Sequence, residues 1–120
     1  MANNYNRGAQ FERKVGSDLT DRGYRVVRSA GSHSPADIVA LCAGMQPVGV
    51  QCKTNGRLDP EEWDKFFWWC ERAGAVPVLA SKGPSGKGIL YRRITGRKGG
   101  NRGRQPLTSW VPDTWFKGEM

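Results

Sequence analysis

The sequence predicts a small α/β domain in which a mixed central β-sheet is flanked by helices. Three observations carry that expectation. A chain of 120 residues holds one hydrophobic core and not two. Its apolar residues recur first at helical spacing, then gather in short β-branched runs, then return to helical spacing before further runs. Glycine and proline punctuate these changes of period, and no internal repeat is present.

The elements follow in order. Residues 1–7 are polar and are expected to fray. Over residues 8–22, Phe11, Val15 and Leu19 recur at i, i+4 and i+8, one stripe of an amphipathic helix that Gly23 stops. Residues 24–29 read as a first strand, and residues 30–35 as a loop of small polar residues closed by Pro35. Residues 37–42 form a second strand, which returns through the turn at Ala43, Gly44 and Met45 as a third over residues 48–53, giving a hairpin. Asp59 then caps a second helix, with Pro60 at its first position and Glu62 three residues on. Trp63, Phe66, Phe67 and Cys70 keep helical spacing up to Gly74. Residues 76–80 and 89–94 are two more strands around a Gly/Pro/Ser-rich loop. Residues 96–106 are basic and glycine-rich, expected to be too polar to pack and mobile without a ligand. Residues 110–116 bring two tryptophans and a phenylalanine that can dock the tail. The expected organisation is α-β-β-β-α-β, with one domain over residues 1–95 and a basic arm with an aromatic segment over residues 96–120.

Charge narrows the function classes. Lys and Arg number 19 against 11 Asp and Glu, a net charge of +8, with a pI near 9.9. Residues 81–105 hold eight of the basic residues and no acid. Clustered positive charge of this size suits a polyanion such as nucleic acid. No apolar run approaches the roughly 18 residues of a membrane span, and the N-terminus lacks the apolar stretch of a secretory signal. No membrane partner is expected, and the expected location is the cytoplasm of a prokaryotic or virus-infected cell. Three cysteines without a CxxC spacing, beside a single histidine, do not make a zinc site and read as buried free thiols.

Four polar residues converge when these elements are drawn together. Asp37 opens the second strand. Gln51 and Lys53, two apart on the third, project from one face while Val50 and Cys52 take the other. The hairpin brings Asp37 to the same end as Gln51 and Lys53. Glu12 borders the buried stripe of the first helix and can lean over the sheet edge toward Asp37. An acid, a second oxygen donor and a lysine around one point suit phosphodiester hydrolysis: hard oxygen donors hold Mg²⁺ or Mn²⁺, the cation polarises phosphate and acidifies water, and the ammonium stabilises charge developing on phosphorus. No side-chain nucleophile is needed.

Gly8-x-x-Phe11-Glu12-Arg13, then Gly23-Tyr24-x-Val26-x-Arg28-Ser29, then Pro35-Ala36-Asp37-Ile38-Val39-Ala40, then Val50-Gln51-Cys52-Lys53, in that order and spacing, resemble the PD-(D/E)xK nuclease superfamily. Within it the pattern is most similar to the archaeal-type Holliday junction resolvases and their viral relatives, over roughly residues 8–95. The resemblance implies a restriction-endonuclease-like core and a metal-dependent endonuclease that resolves four-way DNA junctions as a two-fold homodimer. It implies that Glu12 assists metal binding, that Asp37 and the backbone carbonyl of Cys52 ligate the metal, and that Lys53 is the catalytic lysine. Gln51 falls where the family usually has a ligating glutamate. It keeps a carbonyl oxygen but brings no charge, which lowers the expected metal affinity and leaves two carboxylates in place of three. Ser32 resembles a serine that lies near the scissile phosphate in some relatives.

Around this centre, Arg7, Arg13, Arg25 and Arg28 are expected to extend one DNA-binding face. His33 is a phosphate contact or a plain loop residue. Arg97, Lys98, Arg102 and Arg104 form either an inconsequential tail or an arm that neutralises phosphates, with binding that weakens steeply in salt. Trp68 and Trp69 extend the apolar side of the second helix beyond what one sheet can cover, which suits a dimer interface. Two alternatives stay open: a nuclease of the same fold acting on other DNA structures, and a non-catalytic branched-DNA-binding module in which Gln51 marks a lost site.

Overall fold

The computed structural model describes residues 4–29, 34–99 and 105–114, the side chains of residues 4–7 excepted. The element order is α1 (Asn4–Asp21), β1 (Arg25–Arg28), β2 (Ile38–Leu41), β3 (Val48–Cys52), α2 (Pro60–Ala73), β4 (Val76–Lys82), β5 (Ile89–Ile94) and β6 (Leu107–Ser109), with a single 3₁₀ turn at Pro84–Gly86. One sheet holds all six strands in sequence order, antiparallel throughout except for the parallel β3–β4 pair that α2 bridges. That is the expected mixed α/β sheet. Among the described residues no helix is long and apolar enough to cross a membrane.

Strand alternation sorts the side chains into two layers. Ile38, Ala40, Val48, Val50, Val78 and Ala80 face α1 and close on its stripe of Phe11, Val15 and Leu19. On the opposite face α2 lays Trp63, Phe66 and Cys70 against Ala36, Leu58 and Ile94. The Asp59 side chain accepts the Glu62 N–H at α2's start, and Gly74, at φ 72°, closes its end in the left-handed region. Close approach sets α2's height: a Cβ on Gly49 would lie 2.8 Å from the Cys70 sulfur.

Three sequence expectations change. The helix α1 starts at Asn4, so residues 4–7, expected to fray, are helical. Residues 96–99, expected to be mobile, are held on α2. The Trp63 Nε1–H donates to the Gly96 carbonyl at 2.9 Å, and the Lys98 N–H to Asp64 Oδ1 at 2.7 Å. Finally β6, which no periodicity announces, pairs with β5. Trp110 packs against the α1 core and meets Tyr91 edge-on at 6.0 Å, so this part of the tail docks as expected. Trp115 and Phe116 lie outside the described residues.

Candidate active site

The β2–β3 register fixes the site. Ile38 lies opposite Val50, so one step further Asp37 lies opposite Gln51, just where β2 begins and β3 ends. The ladder finishes with the Asp37 N–H donating to the Val50 carbonyl at 3.0 Å. Past that point β2 has no backbone acceptor for the Cys52 N–H. The Asp37 carboxylate takes it instead, Oδ2 accepting at 2.8 Å. Capping an amide is the ordinary use of an aspartate beside a turn, but here the amide belongs to the neighbouring strand. The bond therefore aims the carboxylate along the end of β3. Because N–H and C=O of one strand residue point to the same side, the Cys52 carbonyl is directed to that side too.

Gln51 is buried at 8% exposure, and its Nε2 donates to the Pro35 carbonyl at 2.6 Å. That bond identifies the nitrogen end of the amide and ties β3 to the loop before Asp37. Lys53 follows the strand end, its backbone anchored by donation to the Ala80 carbonyl at 2.9 Å. Its ammonium lies 3.5 Å from Glu62 on the first turn of α2. The sequence reads Glu62 only as a capping partner. Its i+3 spacing from Asp59 carried no sign that it would face the site lysine, since that depends on how α2 crosses the sheet.

Glu12 approaches from the other layer. Its carboxylate is 3.8 Å from the Arg28 guanidinium. Burial raises its pKa above the usual carboxylate value, the charge of Asp37 raises it further, and Arg28, Lys53 and Arg13 oppose the rise. A carboxylate whose pKa is raised by burial and by a second carboxylate stands where a cation would favour its charged form. The Cys52 thiol is also driven well up, by burial first and then by Asp37 and Glu12. It stays protonated and is no nucleophile.

The groups that could hold a cation here are Glu12, Asp37, the Gln51 amide and the Cys52 carbonyl, all hard oxygens of the kind that suits Mg²⁺ or Mn²⁺. Among the described residues no three His, Cys, Asp or Glu side chains gather closely enough to hold a metal unaided.

The remaining basic residues divide. Arg13 and Arg28 line one groove of about 430 Å³ along α1 and β1. Arg25 is three residues from Arg28 on the same strand, so alternation puts it on the opposite sheet face. The single arginine face expected from the sequence is thereby corrected. Arg97 is exposed beside Trp68 and Arg72, and the Lys98 ammonium sits 5.4 Å from the Trp63 ring centre. Ser32, His33, Arg102, Arg104 and the Arg7 side chain lie outside the described residues.

Comparison with known proteins shows the family and the fold. A family model described as archaeal Holliday junction resolvase (Hjc) matches residues 3–95. The crossover junction endodeoxyribonuclease Hjc of Methanocaldococcus jannaschii is 33% identical over 86 residues, taking in 68% of this chain and 63% of that protein. The chain thus aligns with somewhat under two thirds of that relative's length. In fold the chain is similar to Hjc of Archaeoglobus fulgidus, a Holliday junction resolvase from an archaeal hyperthermophile. The TM-score is 0.60 at 23% identity, over 76% of this chain and 80% of that one.

Proposed function

The chain belongs to the archaeal Holliday junction resolvase family, and on that premise we propose that it is a metal-dependent endonuclease that cuts four-way DNA junctions by phosphodiester hydrolysis, working as a homodimer. The observation that carries this reading is the Asp37 carboxylate seated on the Cys52 amide, with Gln51 opposite and Lys53 next in the chain. Residues 1–95 carry the nuclease, and the basic residues of 96–120 contact DNA.

A bound Mg²⁺ or Mn²⁺ supplies Lewis-acid polarisation of the phosphate and acidifies water at the site. Asp37 and Glu12 provide the anionic donors, and the Gln51 amide and Cys52 carbonyl the neutral ones. Lys53 holds the attacking water and stabilises charge as it builds on the phosphorus oxygens. Arg28 and Arg13, in the groove beside Glu12, hold the DNA backbone in register. The Glu62 contact keeps the Lys53 ammonium near the site at little energetic cost, since both side chains are well exposed.

The test is cleavage of a synthetic four-way junction with Mg²⁺, alongside a linear duplex of the same sequence. Wild-type protein is expected to cut the junction preferentially. Asp37→Asn and Lys53→Ala should bind it but cut about 100-fold slower or worse. Full activity in both variants removes the site assignment. Equal cutting of junction and duplex favours a same-fold nuclease with another substrate. Junction binding without cleavage in any divalent cation leaves a DNA-binding module.

A further inference from the structure

Arg92 takes no part in the site described so far. The register places Gln51, Leu79 and Arg92 in one row across β3, β4 and β5, so Arg92 projects from the α2 face of the sheet, as Gln51 and Lys53 do. Its guanidinium rests against the turn that follows Lys53. A Cβ on Gly56 would come within 3.1 Å of an Arg92 terminal nitrogen and 3.5 Å of the Ser81 hydroxyl. Gly56, at φ 69°, donates its N–H to the Lys53 carbonyl at 2.8 Å. Glycine meets both demands at once, the left-handed backbone and room for the arginine.

Among the described residues this guanidinium has no counter-charge. The Arg92 Nε is buried without a hydrogen-bond partner. Ser81 beneath it is a buried polar residue at 4% exposure. An unpaired N–H on a charged group is costly, and an apolar residue would fill the same place without that cost. An arriving oxyanion would recover it through paired, charge-assisted bonds of the kind a guanidinium makes to phosphate. The hollow of about 600 Å³ at the same end of the sheet is lined by Lys53, Arg57 and Lys98 against Asp59 and Glu62, so with Arg92 beside it the basic groups outnumber the acids.

We propose that Arg92, seated over Gly56 and Ser81, is a second phosphate-binding site, taking a DNA phosphodiester that neighbours the one cut at Asp37. Two strand spacings, about 10 Å, separate the Arg92 backbone from that of Gln51, and the guanidinium rests on the turn after Lys53, beside the Asp37 centre and not within it. The site fixes the path of the strand leaving the catalytic centre. The inference rests on the nuclease reading for its ligand, but its test does not need cleavage.

That test is binding of a fluorescent four-way junction in EDTA across a salt series, for wild type, Arg92→Gln and Arg92→Lys. Arg92→Gln should flatten the plot of log K against log salt by about one unit for each protomer on the junction, about two for the dimer, and leave the thermal midpoint unchanged or higher. Arg92→Lys, which keeps charge and loses the fork, should bind about tenfold more weakly for each protomer engaged, the worth of one charge-assisted bond in each. An unchanged slope with a lowered midpoint makes Arg92 structural and overturns the proposal. Should Arg92→Gln not fold, wild-type affinity in Arg92→Lys overturns it equally. If the slope changes while wild type cuts no junction, the nuclease reading fails alone; cleavage with an unchanged slope fails the Arg92 proposal alone.

Discussion

Gln51 carries two demands that a glutamate there would meet differently. As an amide it donates to the Pro35 carbonyl at 2.6 Å from a buried position. In Gln51→Glu a carboxylate oxygen would face that carbonyl, and a hydrogen bond would become a repulsion. Without metal the variant should lose about 1–3 kcal/mol of stability. With Mg²⁺ it should gain a larger upward shift of Tm than wild type, because a third anionic donor tightens binding to the folded state. Thermal melts of both proteins with and without Mg²⁺ check this, and equal responses would remove Gln51 from the metal site. The residues of the site differ in how far the sequence reveals them. Asp37, Gln51 and Lys53 are legible because strand alternation and a tight hairpin leave few ways to arrange them. Glu12 is legible as a helix residue bordering the buried stripe. Glu62 is not, since its meeting with Lys53 depends on how α2 crosses the sheet.

At the level of elements, the close approach of α2 to β3 is open to direct test. Gly49 lets the Cys70 sulfur approach to where its own Cβ would stand. Gly49→Ala therefore has to push α2 outward, at about 1–3 kcal/mol, lowering Tm by about 4–15 °C. Adding Cys70→Ala should recover most of that loss if the sulfur is the obstacle; strict additivity would place the strain elsewhere. The same burial pushes the Cys70 thiol pKa up to about 12 from 9.0. A thiol raised in the folded state keeps its proton there while the unfolded chain loses it, so this contribution is present below pH 9 and fades as pH rises toward 12. Alkylation of Cys70 at pH 8 should accordingly be slow in native protein and fast in urea, and fast native alkylation would contradict its burial. Most elements were legible because apolar spacing, the Asp59 cap and Gly74 each specify one outcome locally. The departures share a cause, since they depend on tertiary partners. Residues 96–99 are polar and glycine-rich, yet Trp63 and Asp64 on α2 supply the bonds that fix them. The three-residue strand β6 forms because β5 presents a free edge.

For the molecule as a whole, the two sheet faces are unequally covered. Helix α1 closes one face over β1 to β5, whereas α2 lies over β3 to β5 and leaves the β1–β2 hairpin bare on its side. Val27, Val39 and Leu41 are exposed there, at 58%, 36% and 45%. Trp68 and Trp69, meeting edge-on at 5.1 Å, stand out from α2 at 41% and 48% exposure. Apolar surface of this kind on a highly charged protein suits a two-fold contact with a second copy. The proposed chemistry asks for the same arrangement, since resolving a junction would take a cut in each of two opposed strands and the proposal gives each chain one site. Sedimentation at micromolar concentration should therefore report twice the 13.3 kDa chain mass. Trp68→Glu with Trp69→Glu should yield a folded monomer, because neither ring belongs to the buried core. That monomer should nick a junction without pairing its cuts, and its binding should lose much of its salt dependence as half the basic surface leaves the complex. Paired cutting by a protein that sediments as a monomer would break the link between this face and function, and an unaltered dimer in the double variant would move the interface away from α2.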